Sequence, residues 1–483
     1  MSEITTEKYK ETAKKGIENQ VLQNALANLQ ERLGKGTAAA YRRLPEGSEL
    51  RFRGHDIRMN AIENLDVLLE TLAENIRKNG GHVFFAEDRE AAVNYCLDVA
   101  HKHKVKQVVK GKSMVTEEIG LNPALISAGI EVNEADLGEY IVQLAEEHPS
   151  HIIAPAIHRT RNDIGRLFAE KLGIPYTNDP PSLTRAARNA LREKFLNADM
   201  GISGCNLACA ETGHITTVSN EGNIRMATTL PRVHVAFMGM ERIVASLEDH
   251  EVLLRLLTRG ASAQNMAVYT SFIGGPRHPD QADGPDEFHL VIIDNGRTRI
   301  LADKEFREIL CCIRCAACLN VCPVYAKIGG HAYGYPYSGP VGAVVTPLLV
   351  GINRAKDLCL GETLCGACQN ACPVNINLPR MILSLRAKLA DGDPEWGVTR
   401  ASVKEKAIYT AWSWVIRNRK VYDLFLRFAA SGQKFLPHKK GMIRRLPPPM
   451  GNWTLTRDIQ PIAKESFLRR WKRLEKQHTK NSL

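Results

Sequence analysis

The stretch "CCIRCAACLNVCPVY", residues 311–325, decides how one part of this chain must fold. Five of its first twelve residues are cysteines, and a proline follows the last of them. The spacing C-x2-C-x2-C-x3-C-P is typical of bacterial ferredoxins that bind 4Fe–4S clusters. Thiols rarely crowd in this way for packing alone, so the stretch predicts an iron–sulfur site. Its ligand candidates are Cys312, Cys315, Cys318 and Cys322.

A second group of cysteines stands in "CGACQNACP", residues 365–373. In two-cluster ferredoxins the last cysteine of a run ligates the other cluster, because it lies a further turn away from its neighbours. This reciprocity predicts two 4Fe–4S clusters. The first would be held by Cys312, Cys315, Cys318 and Cys372, and the second by Cys322, Cys365 and Cys368.

The fourth ligand of the second cluster breaks the pattern, because the regular position holds Glu362. Cys359 could complete the site if the chain bends at Gly361, and it is the ligand we expect. The alternatives are a three-cysteine site or a non-cysteine ligand. Cys311 fits neither spacing and is predicted to point away. Structural zinc is disfavoured, since two runs of three or four thiols that each end in Cys-Pro suit tetrahedral closure poorly.

Composition limits the remaining possibilities. The chain has 483 residues and 12 cysteines, nine of them between Cys311 and Cys372. No apolar run reaches the roughly 18 residues of a membrane span, and the N-terminus lacks the apolar core of a secretory signal, so we expect a cytoplasmic protein with reduced thiols. The net charge of +11 is concentrated in the tail, where 19 Lys and Arg face 5 Asp and Glu from Lys404 onward. Nucleic-acid binding spread over the whole chain is therefore not expected.

Hydrophobic periodicity predicts four regions. They are a helical arm at 1–78, an α/β domain at 79–300, an all-helical two-cluster ferredoxin domain at 301–385 and a basic helical region at 386–483. In the second region short apolar runs alternate with helical segments, which is typical of a parallel sheet covered by helices. The predicted strands include "HVFFAED", "VKQVVKG", "SHIIAPAI", "HITTVSN", "RVHVAFMG", "MAVYTSFIGG" and "EFHLVIIDNG".

The α/β region also offers a candidate ligand pocket. Lys112, Ser113 and Glu117 follow a predicted strand, where such sheets usually bind ligands, although Ser113 could equally begin a helix. The loops "AETG" (210–213) and "NEGN" (220–223) could cradle an anion, and a plain hairpin is the competing interpretation. The glycine that a phosphate-binding P-loop needs is missing.

Other cysteine and histidine residues have simpler explanations. Cys205 and Cys209 are expected to be buried free thiols, and His331 could tune a cluster or merely pack in its glycine-rich loop. No Ser-His-acid arrangement and no flavin or nicotinamide motif is present, so we assign no catalytic residue and expect hydride chemistry on a partner.

The chain resembles the lactate-utilisation protein B family of bacterial iron–sulfur proteins. The resemblance covers residues from about 110 to 376, and the basic tail is similar as well. It implies an α/β domain like those of sugar-phosphate isomerases and CoA transferases, followed by a dicluster ferredoxin. Cys359 with the neighbouring "LGET", and "CNLAC" at 205–209, depart from the family pattern. The matching segments include "GKSMVTEEI", "PSHIIAPAIH", "AETGHITTVSNEGN", "DGPDEFHLVIIDNGRT", "CIRCAACLNVCPVY", "GGHAYGYPYSGPVGAV" and "LCGACQNACPVNI".

The function implied by the resemblance is electron transfer during oxidation of L-lactate to pyruvate, with two partner proteins and an acceptor such as quinone. We expect an electron-transfer component rather than a stand-alone catalyst. The alternatives are a redox or small-anion sensor, or electron transfer from glycolate or another 2-hydroxy acid. Tryptophans among the basic residues of the tail make peripheral contact with the inner face of the membrane an option, beside docking to an acidic partner.

Overall fold

A six-stranded parallel sheet forms the centre of the α/β part of the computed structural model, which describes residues 4–400, 402–439, 441–448, 450–455 and 457–481. The strand order is β1-β10-β7-β4-β2-β3, and every pairing is parallel. The strands are β1 (His82–Ala86), β2 (Gln107–Lys110), β3 (Glu131–Glu134), β4 (Met200–Gly204), β5 (Leu207–Cys209), β6 (His214–Ser219), β7 (Val233–Gly239), β8 (Ile243–Val244), β9 (Tyr269–Ile273), β10 (Glu287–Ile293), β11 (His438–Lys439) and β12 (Met442–Ile443).

The central strands are buried and mostly apolar because helices cover both faces of the sheet. All seven residues of β7 are buried. A second, four-stranded sheet has the order β8-β5-β6-β9 and mixes parallel with antiparallel pairs. The predicted α/β fold class is confirmed by this arrangement.

Helices make up most of the remaining structure. In the first half of the chain they are α1 (Tyr9–Glu18), α2 (Gln20–Leu29), α3 (Lys35–Arg42), α4 (Gly47–Glu63), α5 (Leu65–Lys78), α6 (Arg89–Lys102), α7 (Met114–Glu118), α8 (Leu121–Ser127), α9 (Leu137–Leu144), α10 (Arg161–Leu172), α11 (Pro180–Leu196) and α12 (Asn223–Thr229). In the second half they are α13 (Leu247–Ser262), α14 (Arg297–Ala302), α15 (Ala317–Val321), α16 (Tyr325–Ile328), α17 (Gly339–Val350), α18 (Lys356–Leu360), α19 (Ala367–Ala371), α20 (Leu378–Asp391), α21 (Val403–Arg417), α22 (Arg419–Gly432) and α23 (Phe467–Asn481). Single 3₁₀ turns occur at Thr6–Lys8, Arg307–Cys311, His331–Tyr333, Gln433–Phe435 and Met450–Thr454, and a π-helical turn at Gln30–Gly34.

The strand predicted over "SHIIAPAI" is wrong, since residues 150–157 form a loop. The side chain of His151 accepts hydrogen bonds from the backbone N–H groups of Ile153 and Ala154, at 3.0 and 3.1 Å, so those groups cannot join a strand ladder. The other nitrogen of the ring lies 3.2 Å from Asn320 Oδ1. Ile152 is thus buried among residues of the cysteine-rich region rather than in the sheet, and Ile153 is exposed.

The N-terminal helices lie on the cysteine-rich region. Helix α1 packs against α16 and the turn at His331–Tyr333, and the hydroxyl of Thr12 donates to the carbonyl of Ala332 at 3.1 Å. Helix α4 packs against α13 and the turn that precedes Cys312. Contacts divide the described chain after Thr399 into two compact units, so the arm, the sheet and the cysteine-rich helices belong to one of them.

The second unit begins at Arg400 and contains α21, α22, α23 and the short β11–β12 hairpin. Its three helices expose most of their surface, tryptophans included. Within the described part of the chain, no helix combines the length and the apolar character needed to cross a bilayer.

Candidate metal centres and the adjoining cavity

The two cysteine runs fold into the same local structure. Arg314 and Ala316 have φ angles of 59° and 63°, and their counterparts 50 positions later, Leu364 and Gly366, have 55° and 82°. A helix of five residues follows in each run, α15 in the first and α19 in the second, and each ends at a Cys-Pro pair. These left-handed residues turn the loop so that thiols three positions apart face one point.

The first centre is a small cavity whose wall contains the four cysteines predicted for the first cluster, namely Cys312, Cys315, Cys318 and Cys372. Three of these residues are nearly inaccessible to solvent, and Cys312 is partly exposed. Arg314 and Ile152 lie on the same wall. The structure therefore brings together a thiol from the second run and three thiols from the first, as reciprocity requires.

The second centre has a wall that contains Cys322, Cys365 and Cys368, together with Glu362. Cys365 is exposed to solvent, while the other two cysteines are buried. Cys359 lies on α18 away from this wall, and its Sγ is 3.1 Å from the carbonyl oxygen of Lys356. Ligation by Cys359 stays a prediction, and the carboxylate on this wall is that of Glu362, whose Oε2 lies 3.5 Å from Cys322 Sγ.

Backbone N–H groups point at the sulfur atoms of both runs. The N–H groups of Arg314, Tyr325 and Ile376 donate to the Sγ atoms of Cys312, Cys322 and Cys372, at 3.4, 3.4 and 3.3 Å respectively. Hydrogen bonds of this kind set the potentials of iron–sulfur clusters, so the donor set fits such a group. Cys311 lies outside both walls, with its Sγ 3.3 Å from Met59 Sδ, as expected for a residue that points away.

Burial favours the protonated form of the enclosed thiols. Burial raises the pKa of Cys372 to about 12 and that of Cys368 to about 11. Metal binding must displace the protons, because thiolates and not thiols are the ligands.

Buried arginines surround the loop that carries Cys312. The guanidinium of Arg242 donates to the carbonyl of Cys312 at 2.9 Å. Arg314 stacks over the ring of Tyr337 at 4.5 Å and lies 3.5 Å from a carboxylate oxygen of Glu241. Burial raises the pKa of Glu241, but Arg297 and these two arginines outweigh it and bring that pKa down to about 2. The first centre is thus surrounded by ionised side chains, most of them arginines.

A cavity of about 310 Å³ adjoins the first centre, and Arg314 lies on both walls. Its other polar lining residues include Lys112, Ser113, Asp136, Cys205, Asn206, Asn220, Glu221, Asn223, Glu241, Arg242, Arg297 and Tyr337. The structure therefore gathers Lys112, Ser113 and the "NEGN" loop in one place. Sequence reasoning missed the arginines, because nothing in the spacing of 242, 297 and 314 shows that they meet.

Other predicted residues fall elsewhere. Ser113 also begins α7, where its side chain accepts from the backbone N–H of Thr116, so both readings of this residue hold. Glu117 is half-buried and lines not this cavity but a separate crevice with Pro149 and His151. The "AETG" loop is the hairpin between β5 and β6, and Asn75 on α5 donates to the carbonyl of Ala210 at 2.8 Å.

Cys209 is buried on β5, whereas the partly exposed Cys205 precedes that strand and lines the cavity. His331 packs against a loop: its Nε2 lies 2.6 Å from the carbonyl oxygen of His148, and its ring lies 4.6 Å from that of His158. These contacts favour a packing role for the glycine-rich loop.

Comparison with known families accounts for most of the chain. Residues 69–293 match the LUD domain, residues 308–376 the 4Fe–4S dicluster domain, and residues 397–477 the C-terminal domain of lactate utilisation protein B. A crystal structure of a DUF162 family protein from Deinococcus radiodurans aligns with 47% of this chain and 98% of its own, with 12% identity and a TM-score of 0.27.

Curated relatives extend over nearly the full length. Lactate utilization protein B of Bacillus licheniformis is 46% identical over 470 residues, covering 97% of both chains. The protein of the same name from Bacillus subtilis is 44% identical and covers 97% of this chain and 96% of its own. That of Oceanobacillus iheyensis is 44% identical, with 98% of each chain covered.

Proposed function

Because the chain belongs to the lactate utilisation protein B family, we propose that it is the iron–sulfur electron-transfer subunit of a multi-protein system that oxidises L-lactate to pyruvate. The chain has a role in lactate utilisation and carries a 4Fe–4S dicluster domain. What we add is the number of clusters, two, and the task of passing electrons.

The observation that carries the proposal is the pair of reciprocal thiol sites. Each site takes cysteines from both runs, and α15 packs directly against α19, so two bound clusters would lie side by side. Clusters of the 4Fe–4S type, when bound, accept and donate single electrons. The cysteines of the two walls would hold the clusters, and backbone N–H groups would donate to the sulfur atoms of Cys312, Cys322 and Cys372.

The surroundings of the two sites support an order of electron transfer in which the second cluster is the one that meets a partner. The first site adjoins the 310 Å³ cavity, and the second reaches solvent at Cys365. Leu360 and Leu383 near that edge are exposed, at 51% and 57%. A partner that docks at this edge would exchange electrons with the second cluster.

The partners belong to the proposal as well. We expect two partner proteins of the lactate-oxidation system and an electron acceptor such as quinone, with the basic unit after Arg400 contacting an acidic partner. Vesicles of anionic lipid provide the competing test, because exposed aromatic and basic side chains also bind such surfaces. Co-sedimentation with vesicles but not with partners would favour the membrane.

The test begins with anaerobically purified protein. About eight irons per chain, with electron paramagnetic resonance signals from two interacting centres after dithionite, would support two clusters. Addition of L-lactate to the complex with both partners should reduce the centres, and glycolate at the same concentration should not. Zinc or no metal in protein kept free of oxygen would end the electron-transfer proposal.

A second candidate function is recognition of a small organic anion in the 310 Å³ cavity. The observation that favours it is Arg314, whose Nη1 has no hydrogen-bond partner among the described residues although the atom is buried. Calorimetry with L-lactate, pyruvate and inorganic phosphate would test it. Binding that Arg314→Gln abolishes, without any lactate-dependent reduction, would favour the binding function over electron transfer.

A further inference from the structure

The internal repeat of the cysteine region assigns a role to Glu362. The two runs correspond at a distance of 50 positions, which pairs Cys315 with Cys365, Cys318 with Cys368 and Cys322 with Cys372. The same distance pairs Cys312 with Glu362. Because the left-handed loop residues and the following helices also correspond, Glu362 occupies the place in the second loop that a cluster ligand occupies in the first.

The side chain of Glu362 is directed at the second centre. The residue is buried, at 7% exposed, and lies on the same wall as the three cysteines of that centre. Its Oε2 is 3.5 Å from Cys322 Sγ, and its Oε1 accepts a hydrogen bond from the hydroxyl of Tyr333 at 3.0 Å. Tyr333 therefore fixes the carboxylate and leaves Oε2 turned towards the sulfur.

The carboxylate of Glu362 makes no direct ion pair, although Arg386 is close enough for its charge to act on it. None of the ion pairs found among the described residues includes Glu362, and the nearby guanidinium of Arg386 donates to the backbone carbonyl of Glu362, at 2.5 Å. A buried carboxylate without a counter-charge is costly unless it binds a metal or takes a proton. An iron ion at the open corner of the thiol set would supply the charge.

The competing ligand is held in another place. Cys359 is completely buried in α18, its thiol faces the carbonyl of Lys356, and its own carbonyl accepts two hydrogen bonds from Arg386, at 2.8 and 2.9 Å. To reach the centre, Cys359 would have to unwind α18 and break these contacts. Glu362 already lies on the wall of the centre, with its Oε2 3.5 Å from Cys322 Sγ.

We propose that Glu362 is the fourth protein ligand of the second cluster and binds one iron through Oε2. This inference rests on the proposed presence of two clusters. The carboxylate binds as the anion and releases its proton, if it held one, to solvent. An iron held by oxygen in place of sulfur is more exchangeable than its three neighbours, so an oxidised 4Fe–4S cluster of charge 2+ at the second site would lose this iron first, as Fe²⁺, and leave an uncharged 3Fe–4S centre without any change of oxidation state in the other irons.

The test uses ⁵⁷Fe-labelled, anaerobically purified full-length protein. Mössbauer spectra of the wild type should contain a distinct subsite of about one iron in eight. Glu362→Cys should convert that subsite to the all-thiolate type, and Glu362→Gln should give one three-iron centre, seen by electron paramagnetic resonance, with the iron content falling from about eight to about seven. Cys359→Ser and Asp357→Asn, which alters a carboxylate outside the wall, should leave both spectra as in the wild type.

The outcomes separate this inference from the function on which it rests. If Cys359→Ser produces the three-iron centre and Glu362→Gln does not, Cys359 is the ligand and the inference is overturned. It is also overturned if Glu362→Cys leaves the Mössbauer spectrum unchanged, a result that remains readable even where the glutamine variant does not fold. Wild-type protein without two four-iron centres would instead overturn the proposed function.

Discussion

Replacing Arg58 with methionine should destabilise the larger unit and loosen the first centre. Arg58 lies on α4, is completely buried, and donates to four carbonyl oxygens. Two of them, on Glu241 and Ile243, belong to the α/β part, with the Ile243 bond at 2.5 Å. The other two, on Leu310 and Cys311, directly precede the first ligand, at 3.0 and 3.3 Å. A single side chain therefore joins the sheet to the metal loop.

The magnitude follows from these four contacts. A hydrogen bond to a charged group contributes about 1.5–3 kcal/mol, so four of them amount to roughly 6–12 kcal/mol. Removing the buried guanidinium recovers several kcal/mol of desolvation, since burial of this cation is itself unfavourable and already lowers the pKa of Arg58. We expect a net loss of about 3–5 kcal/mol, a large part of the roughly 5–15 kcal/mol that stabilises a typical domain.

The assay is anaerobic urea unfolding of the cluster-loaded protein, combined with the rate of iron release to a chelator. Arg58→Met should lower the free energy of unfolding by the stated amount and speed the release of about half of the iron, since Leu310 and Cys311 lead into the first centre alone. Arg53→Met on the same helix is the matched control. Its side chain is 49% exposed and pairs with the exposed Glu248, so the change should cost at most about 1 kcal/mol. Equal losses in the two variants, or a loss below about 1 kcal/mol for Arg58→Met, would refute the reasoning.

Three further changes test other parts of the structure. Cys372→Ser should abolish the first centre and Cys322→Ser the second, by iron content and electron paramagnetic resonance, whereas non-reciprocal ligation would give the opposite assignment. Burial lowers the pKa of His234 to about 3, from an ordinary value near 6.5. Between pH 6.5 and 3 the unfolded chain therefore binds a proton at this histidine that the folded chain does not. The free energy of unfolding falls as the pH is lowered through that range. His234→Phe should flatten that dependence by about 1.4 kcal/mol per pH unit in urea unfolding between pH 6 and 5, and an unchanged slope would contradict it. Gly330→Ala should lower the thermal midpoint of unfolding, because the new Cβ would lie 1.8 Å from the carbonyl oxygen of Ser150. The control is Gly366→Ala, at an open position where strain arises only from the φ of 82°. A smaller drop in the midpoint for Gly330→Ala than for Gly366→Ala would contradict the predicted clash.

Strands with several consecutive apolar residues could be predicted from the sequence, and so could the more polar β6 and β9, whereas β3 and β4 of the central sheet could not. "RVHVAFMG" and "EFHLVIIDNG" contain β7 and β10, which occupy the middle of the sheet. The missed strand β3 reads "EVNE", because Glu134 is buried there in an ion pair with Lys110 at 2.9 Å. The missed strand β4 contains Gly201, whose position allows the carbonyl of Ala227 to approach so closely that a Cβ would lie 1.8 Å from it.

The residues of the candidate site likewise divide into those that the sequence predicts and those that it does not. Seven cysteines could be placed from spacing, because ligands three residues apart on one loop form a local pattern. The arginines around Cys312 come from three distant segments that only the fold brings together, so no local pattern reveals them. Spacing alone leaves the fourth ligand of the second centre open, because neither Cys359 nor Glu362 completes a regular run of cysteines.

The repeat geometry favours Glu362 over Cys359. A ligand must stand at the right place before its donor strength matters, and Cys359 lies in α18, three positions before the place that Cys312 defines in the first run. Glu362, three positions before Cys365, stands at that place and makes no direct ion pair among the described residues. The two runs then differ in one ligand, a thiolate in the first and a carboxylate in the second. The carboxylate belongs to the second cluster, which is nearer to solvent because Cys365 is exposed. A chain that passes electrons to a partner at that edge would carry its more exchangeable iron where the partner docks.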